Sequence, residues 1–204
     1  MISARWPGTA GLAAVLLLAA TASAPAQQAP SAAELMDDLM WSRTPVGGSF
    51  DLIDHAGRRR TDAEFRGKFL LLYFGYIHCP DACPTDLAAI ASAINRLGPS
   101  GDAVQPLFIS VDPQRDTVER LADYVRAFHP RLIGLTGAPE EIRRVALAYK
   151  VYYAKVPAPE GADYAIDHTS FTYIVGRDGK YLGFFPPGTR AERMVETIRQ
   201  QLNP

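Results

Sequence analysis

The residues of this 204-residue sequence best suited to chemistry are its only two cysteines. Cys79 and Cys83 stand four positions apart in the segment His78-Cys79-Pro80-Asp81-Ala82-Cys83-Pro84. Two sulfurs at this spacing can close a disulfide, bind one soft metal ion, or do each at different times. A disulfide between them would close a very short loop, and short loops gain little stability from cross-linking. The pair is therefore better placed for redox chemistry or metal binding than for a structural cross-link.

The four histidines are the next candidates. His168 lies just before a predicted central strand, at the sheet edge that faces the cysteine loop, and we expect it to join the two sulfurs as a ligand. Its neighbour Asp167 could orient it or face a partner, and the sequence leaves both open. His55 lies in a polar turn and is predicted to be solvated. His129 is predicted to cap a helix C-terminus, and His78 could tune a thiol, bind metal weakly or lie on the surface.

A strand and a helix must position the cysteine pair. Residues 68–74 are predicted to form a strand, and the continuous apolar run from Phe69 to Phe74 is typical of a strand buried on both faces of a parallel sheet. A helix is predicted to follow, with Pro84 in its first turn, Gly98 beyond its end, and an apolar face of Leu87, Ile90, Ala91 and Ile94. Because Cys83 lies where this helix begins, we expect its thiolate to face free backbone N–H groups, which lowers a thiol pKa.

The remaining elements define the fold class. A hairpin is predicted over residues 50–60, and further strands are predicted over residues 104–111, 132–135, 171–175 and 180–184. Three further helices are predicted to begin at the capping box Asp116-x-x-Glu119, at Pro139 and at the capping box Thr189-x-x-Glu192. This order predicts an α/β fold, a thioredoxin-like single domain with a central mixed β-sheet flanked by helices. In such sheets reactive groups lie beyond the carboxyl ends of the parallel strands, where both cysteines fall.

The N-terminus has the layout of a secretory signal. Arg5, the only charge in the first thirty residues, precedes an apolar stretch and a small-residue cleavage site. We interpret residues 1–26 as a signal peptide or N-terminal membrane anchor, with cleavage after Ala26 favoured because cleavage after Ala24 would leave Pro25 at the new terminus. Residues 27–45 are interpreted as a linker with one amphipathic turn near 35–40, and residues 46–204 as the folded domain.

The net charge of −1 indicates no nucleic-acid partner, because a protein that binds nucleic acid normally carries an excess of positive charge.

Three spaced motifs around these residues resemble the Sco/SenC family, copper chaperones for the assembly of cytochrome c oxidase. The resemblance covers roughly Val46 to Leu202. It is carried, in order, by the segments Gly75 to Thr85, Ser110 to Thr117 and Asp167 to Thr169, with a further match from Gly134 to Gly137. The last motif usually reads Asp-His-Ser in that family, so Thr169 is a mild departure.

The resemblance implies a function and a metal site. In that family the paired cysteines and the later histidine bind one copper ion, which carries over to Cys79, Cys83 and His168. The ion would be Cu(I), Cu(II) or each in turn, delivered to the dinuclear copper centre in the copper-accepting subunit of cytochrome c oxidase. An upstream periplasmic copper donor and a thiol reductant are further implied partners. The location would be periplasmic, either soluble or anchored to the outer face of the inner membrane.

Two other functions must be weighed for the same cysteines, a thiol–disulfide oxidoreductase and a peroxiredoxin. A thiol–disulfide oxidoreductase could cycle Cys79 and Cys83 to reduce the cysteines of the oxidase copper subunit, so whether the chain is an enzyme stays open here. Thioredoxin-like enzymes normally place a proline where His168 stands, which favours the metal site. A peroxiredoxin would need a threonine three residues before its cysteine, where this chain has Pro80.

Overall fold

Seven strands form one mixed sheet in the structure, a computed structural model that describes residues 1–2, 30–41, 45–157 and 163–202. In chain order the strands are β1 (Asp51–Asp54), β2 (Arg59–Thr61), β3 (Phe69–Gly75), β4 (Val104–Ser110), β5 (Ile133–Thr136), β6 (Tyr153–Val156), β7 (Ala165–His168), β8 (Thr172–Val175) and β9 (Tyr181–Phe185). The order across the sheet is β2-β1-β5-β4-β3-β8-β9. Strands β6 and β7 pair separately as an antiparallel ladder.

Helices cover both faces of this sheet. They are α1 (Ala32–Trp41), α2 (Ala82–Leu97), α3 (Val118–Arg126), α4 (Pro139–Ala148) and α5 (Ala191–Leu202), with short 3₁₀ turns at Asp62–Phe65 and Gly98–Ala103. One apolar core joins the sheet to α2, α3 and α5, and a second joins its other face to α4. The prediction of a central mixed sheet flanked by helices is confirmed.

Strands β3 and β4, in the middle of the sheet, place the loop that contains the cysteines at one edge. Every residue of β3 and β4 is buried, as their continuous apolar runs predicted. The strands are parallel, and their register pairs Gly75 with Ser110 at their carboxyl ends. The loops that follow β3 and β4 therefore leave the sheet side by side, and the first of these loops contains the cysteines.

The predicted start of α3 is wrong by one residue. Thr117, not Asp116, caps the helix, and its side-chain oxygen accepts the N–H of Arg120 at 3.4 Å. Asp116 is instead fully buried, where it accepts the N–H of Ile77 at 3.1 Å and the hydroxyl of Ser110 at 2.6 Å. Its carboxylate ties the loop after β4 to the loop after β3, which a local capping pattern cannot indicate.

The predicted linker contains more structure than expected. Residues 32–41 form helix α1 rather than a single turn, with Leu35 buried and Asp38 paired to Lys150 at 2.7 Å. At the other end of the chain α5 begins at Ala191, and the Thr189 hydroxyl donates to the Pro186 carbonyl. Apart from residues 1–2, the predicted leader lies outside the described residues. None of the helices within the described ranges is long and apolar enough to cross a membrane.

Candidate metal centre

Two sulfurs and an imidazole meet at the carboxyl edge of the sheet. The Sγ atoms of Cys79 and Cys83 and a ring nitrogen of His168 all lie within 4.8 Å of one another. Cys83 Sγ is 3.4 Å from His168 Nε2, and both cysteines are free thiols. The structure thus brings together the three residues predicted as ligands, although 85 positions separate Cys83 from His168.

The path of the loop after β3 decides which sulfur faces the helix. The Cys79 N–H donates to the Tyr76 carbonyl at 3.2 Å, and this turn places Cys79 just ahead of α2. Its sulfur accepts the N–H of Cys83 at 3.4 Å. We expected the Cys83 thiolate to face the free N–H groups, and this expectation is wrong. Cys83 already lies inside the helix, is fully buried and packs into the apolar core.

The two thiols consequently differ in acidity. A hydrogen bond from Cys83, helped by the backbone N–H groups of Asp81 and Cys83, lowers the pKa of Cys79 to about 3. The hydrogen bond to the Cys79 sulfur, together with burial, raises the pKa of Cys83 well above its ordinary value. Cys79, which is partly exposed, is therefore the more acidic thiol of the pair, and the buried Cys83 is the less acidic one.

Gly75 leaves room for the buried sulfur, a role that sequence reasoning missed. A Cβ at Gly75 would lie 2.7 Å from Cys83 Sγ and 3.0 Å from the rings of Phe108 and Tyr73. A side chain there must push the sulfur or the rings aside. The signal in the sequence was the glycine that ends an otherwise apolar strand.

Gly75→Ala is expected to displace the Cys83 sulfur and to weaken metal binding at the site. Overpacking of this kind costs about 1–3 kcal/mol of unfolding free energy. The matched control is Gly134→Ala in β5, two strands away from β3, where a Cβ would lie 2.6 Å from Leu121 of α3. Denaturant unfolding and copper titration check both variants. Both should lose stability, and an equal loss of copper binding in the two would contradict a specific role for Gly75.

His168 is held with one nitrogen directed at the sulfurs. Its ring meets the rings of Tyr76 and Tyr73 edge-on, with centroids 5.8 Å and 6.5 Å away. Nδ1 lies 3.2 Å from the carbonyl oxygen of Thr169, so Nδ1 carries the proton and donates it. In the neutral ring this tautomer leaves Nε2, which faces Cys83, free to bind a metal ion.

The neighbours of His168 explain its position. The Thr169 hydroxyl accepts the N–H of Tyr152 at 3.1 Å, and the Thr169 N–H donates to the Tyr152 carbonyl at 2.9 Å. A serine could make the same bonds, so the departure from the usual Asp-His-Ser motif leaves this anchor intact. Asp167 is exposed, and strand alternation directs its side chain to the face opposite His168. The Thr169 carbonyl, rather than Asp167, therefore orients the ring.

The other three histidines lie outside this cluster. His55 is only half-exposed, because its Nδ1 accepts the N–H of Gly134 beside β5, so the prediction of a solvated ring is wrong. His129 is buried, and its Nδ1 accepts the N–H of Arg131 while Nε2 donates to Asn95. It shapes the turn into β5 instead of capping α3, whose cap is Ala127. His78 is exposed, with Nδ1 3.9 Å from Asp116.

A thioredoxin-like domain with two thiols and a histidine at the carboxyl edge of its sheet has the donor set of a protein that binds soft metal ions. A family model described as SCO1/SenC matches residues 40–203. The chain belongs to the SCO1/SenC family. The family resemblance predicted from the spaced motifs is confirmed.

Individual relatives agree with this assignment. The chain is 45% identical over 157 residues to Protein SCO2 homolog, mitochondrial, of Bos taurus, covering 76% of this chain and 59% of the relative. It is 42% identical over 161 residues to Protein SCO1 homolog, mitochondrial, of Homo sapiens, covering 78% and 54%. The crystal structure of Arabidopsis thaliana ScoI with copper bound superposes with a TM-score of 0.73 at 42% identity, covering 77% and 98%. The chain thus spans less than two thirds of the length of the two curated relatives.

Proposed function

We propose that this protein is a copper chaperone that binds one copper ion through Cys79, Cys83 and His168. The convergence of the three ligand atoms within 4.8 Å carries the proposal. The Arabidopsis relative, whose fold matches, was solved with copper bound. By the family resemblance, the ion is delivered to the dinuclear copper centre of cytochrome c oxidase during assembly.

The donor set suits an ion that must be held and then released. Two soft thiolates favour Cu(I), and an added imidazole supplies the harder nitrogen that Cu(II) accepts. Three protein ligands leave a coordination position open to a ligand from the recipient. Because Cys79 is only partly buried, an incoming sulfur or imidazole can reach the ion from solvent, whereas Cys83 anchors it from the core.

A second function, reduction of a partner disulfide, is favoured by the unequal thiols. The Cys79 thiolate would attack one sulfur of the partner disulfide, forming a mixed disulfide and releasing the other partner sulfur as thiolate. Cys83 would lose its proton to that thiolate and attack Cys79, freeing the second partner sulfur. The partner ends reduced and this pair oxidised, so a thiol reductant must restore it. This activity would prepare a recipient's cysteines for copper.

Partners and location belong to the same proposal. The recipient is the copper-accepting subunit of the oxidase, and a periplasmic copper donor and a thiol reductant act upstream. The leader-like first 26 residues support export to the periplasm, as a soluble or membrane-anchored protein. The curated relatives are named as mitochondrial proteins.

The reduced protein, purified under anaerobic conditions and given excess copper, is expected to retain one equivalent after desalting. Cu(II) bound to a thiolate should give a sulfur-to-copper charge-transfer band in the visible spectrum, which binding to surface carboxylates does not produce. The control is the Cys79→Ser, Cys83→Ser double variant, which keeps the loop and helix but has no sulfur. If the unchanged protein retains no more copper than this double variant, the chaperone proposal is refuted and the reductase remains as the proposed function.

A further inference from the structure

The ladder that ends in His168 is not part of the main sheet. Strands β6 and β7 pair only with each other, in a register that runs from Tyr153 with His168 to Val156 with Ala165. The bonds between Thr169 and Tyr152 extend this pairing one residue beyond His168, at the end near the cysteines. Ile166 of β7 is buried in the core, and the far end of the ladder, where Tyr164 enters β7, is attached to the body of the protein as well.

A cluster of three side chains makes this attachment. The Tyr164 hydroxyl donates to Asp112 Oδ1 at 2.8 Å, and Arg115 donates to the Tyr164 carbonyl oxygen at 2.9 Å. The Arg115 guanidinium also stacks 3.6 Å from the centre of the Tyr164 ring and donates through Nε to Asp112 Oδ2. Since Asp112 is almost completely buried, these bonds form where water competes poorly.

A second contact joins the other strand of the ladder to the same turn. Lys155 of β6 lies 4.0 Å from the centre of the Tyr164 ring and donates to Gln114 at 2.7 Å. Gln114 and Arg115 are adjacent in the turn 112–116, which follows β4. Both strands of the ladder are therefore attached to one short turn.

That turn is also tied to the cysteine loop. Asp116 accepts the N–H of Ile77, two residues before Cys79, and the Val111 N–H donates to the Gly75 carbonyl at 2.8 Å. Arg115 lies 5.8 Å from the centre of the Tyr76 ring, and that ring in turn meets His168 edge-on. This turn thus contacts the loop that carries Cys79 and, through Tyr76, the ring of His168.

We propose that Asp112, Arg115 and Tyr164 form a clamp that holds the β6–β7 ladder against the cysteine loop and so sets the position of His168 over the two sulfurs. The three are positioning residues, because none of them is a ligand. The inference rests on the proposed function for one of its readouts, since bound Cu(II) reports whether His168 is in place.

Loss of the clamp should lower the fraction of molecules in which His168 is correctly placed. The apparent affinity for an ion that needs the imidazole equals the intrinsic affinity multiplied by that fraction. For Arg115→Ala we expect Cu(II) affinity to fall at least ~10-fold, because a stacked, charge-assisted contact is removed. Cu(I) affinity should change less than about twofold, since the two sulfurs alone can hold that ion.

Two measurements test the clamp. Competition titrations give the Cu(I) and Cu(II) affinities, and hydrogen exchange of the copper-free protein gives the opening of residues 165–168 without any metal. Arg115→Ala should accelerate exchange in this strand specifically. The matched control is Arg177→Ala, which removes an arginine stacked 5.2 Å from the ring centre of Phe69, in the β8–β9 turn. The control should match the unchanged protein in both measurements.

Tyr164→Phe is a second, milder variant, which tests the clamp even if Arg115→Ala does not fold. Arg115→Ala leaves a buried carboxylate without its cation, whereas Tyr164→Phe removes only the hydroxyl and keeps the ring and the backbone. It should change exchange and Cu(II) affinity in the same direction by a smaller factor. Exchange of residues 165–168 identical to the unchanged protein in the folded variants would overturn the clamp. If the unchanged protein itself retains no copper, the proposed function fails, and exchange alone decides the clamp.

Discussion

His168→Ala is expected to abolish retention of Cu(II) while leaving the fold and the ability to form the Cys79–Cys83 disulfide intact. The change removes the Nε2 that faces Cys83 at 3.4 Å but leaves both sulfurs, helix α2 and strand β3 in place. Thiolates without the imidazole tend to reduce Cu(II) rather than hold it. The affinity should fall by more than ~100-fold, which exceeds the ~10–100-fold typical of losing a group that only supports a ligand. Electron paramagnetic resonance and the charge-transfer band measure the loss.

The matched control for this variant is His78→Ala. It removes an imidazole next in sequence to Cys79, but one whose Nδ1 lies near Asp116 rather than in the ligand cluster. Cu(II) binding should survive this change. A protein that loses Cu(II) with His78→Ala and keeps it with His168→Ala would show that the ligand assignment is wrong.

The same variant separates the two proposed functions in cells. If copper delivery is the function, oxidase assembly should fail with His168→Ala as it does with Cys79→Ala or Cys83→Ala. If reduction of a partner's cysteines is the function, assembly should be nearly normal with His168→Ala and should fail only with the cysteine variants. Normal assembly with His168→Ala would therefore refute the copper-delivery proposal without touching the fold assignment.

Oxidation of Cys79 and Cys83 to the disulfide is expected to abolish copper binding completely. The same two sulfurs serve the bond and the ion, and a disulfide sulfur is a poor ligand because it carries no thiolate charge. Conversely, bound copper should protect both thiols from alkylation. Without copper, Cys79 should be alkylated well before Cys83, since the Cys83 side chain is fully buried.

Mass spectrometry after a timed alkylation pulse measures how far copper protects the two thiols. Copper content before and after reduction of the disulfide measures how far oxidation prevents copper binding. Reduction of the oxidised protein should restore one equivalent, which controls for irreversible damage to the sulfurs. Equal copper uptake by the oxidised and reduced forms would place the metal site elsewhere. Faster alkylation of Cys83 than of Cys79 would contradict the burial pattern.

Local sequence patterns predicted those strands and helices whose own residues indicate their type or their ends. The apolar runs of β3 and β4 indicated buried strands, because a strand covered on both faces needs apolar residues at every position. Pro139 marked the start of α4, and Gly98 marked the end of α2. Strands β6 and β7 were missed, because their short segments mix exposed and half-buried positions and show no clean alternation.

The sequence by itself determined the ligand candidates and the fold class, since residue type and spacing state which groups can bind a soft metal. The tertiary structure alone decided which sulfur lies at the helix N-terminus, because that depends on the turn between Tyr76 and Cys79. It also decided that Asp116 is buried rather than capping α3. The contact of Arg115 with Tyr164 spans 49 positions, and no local pattern encodes a contact made only when the chain folds back on itself.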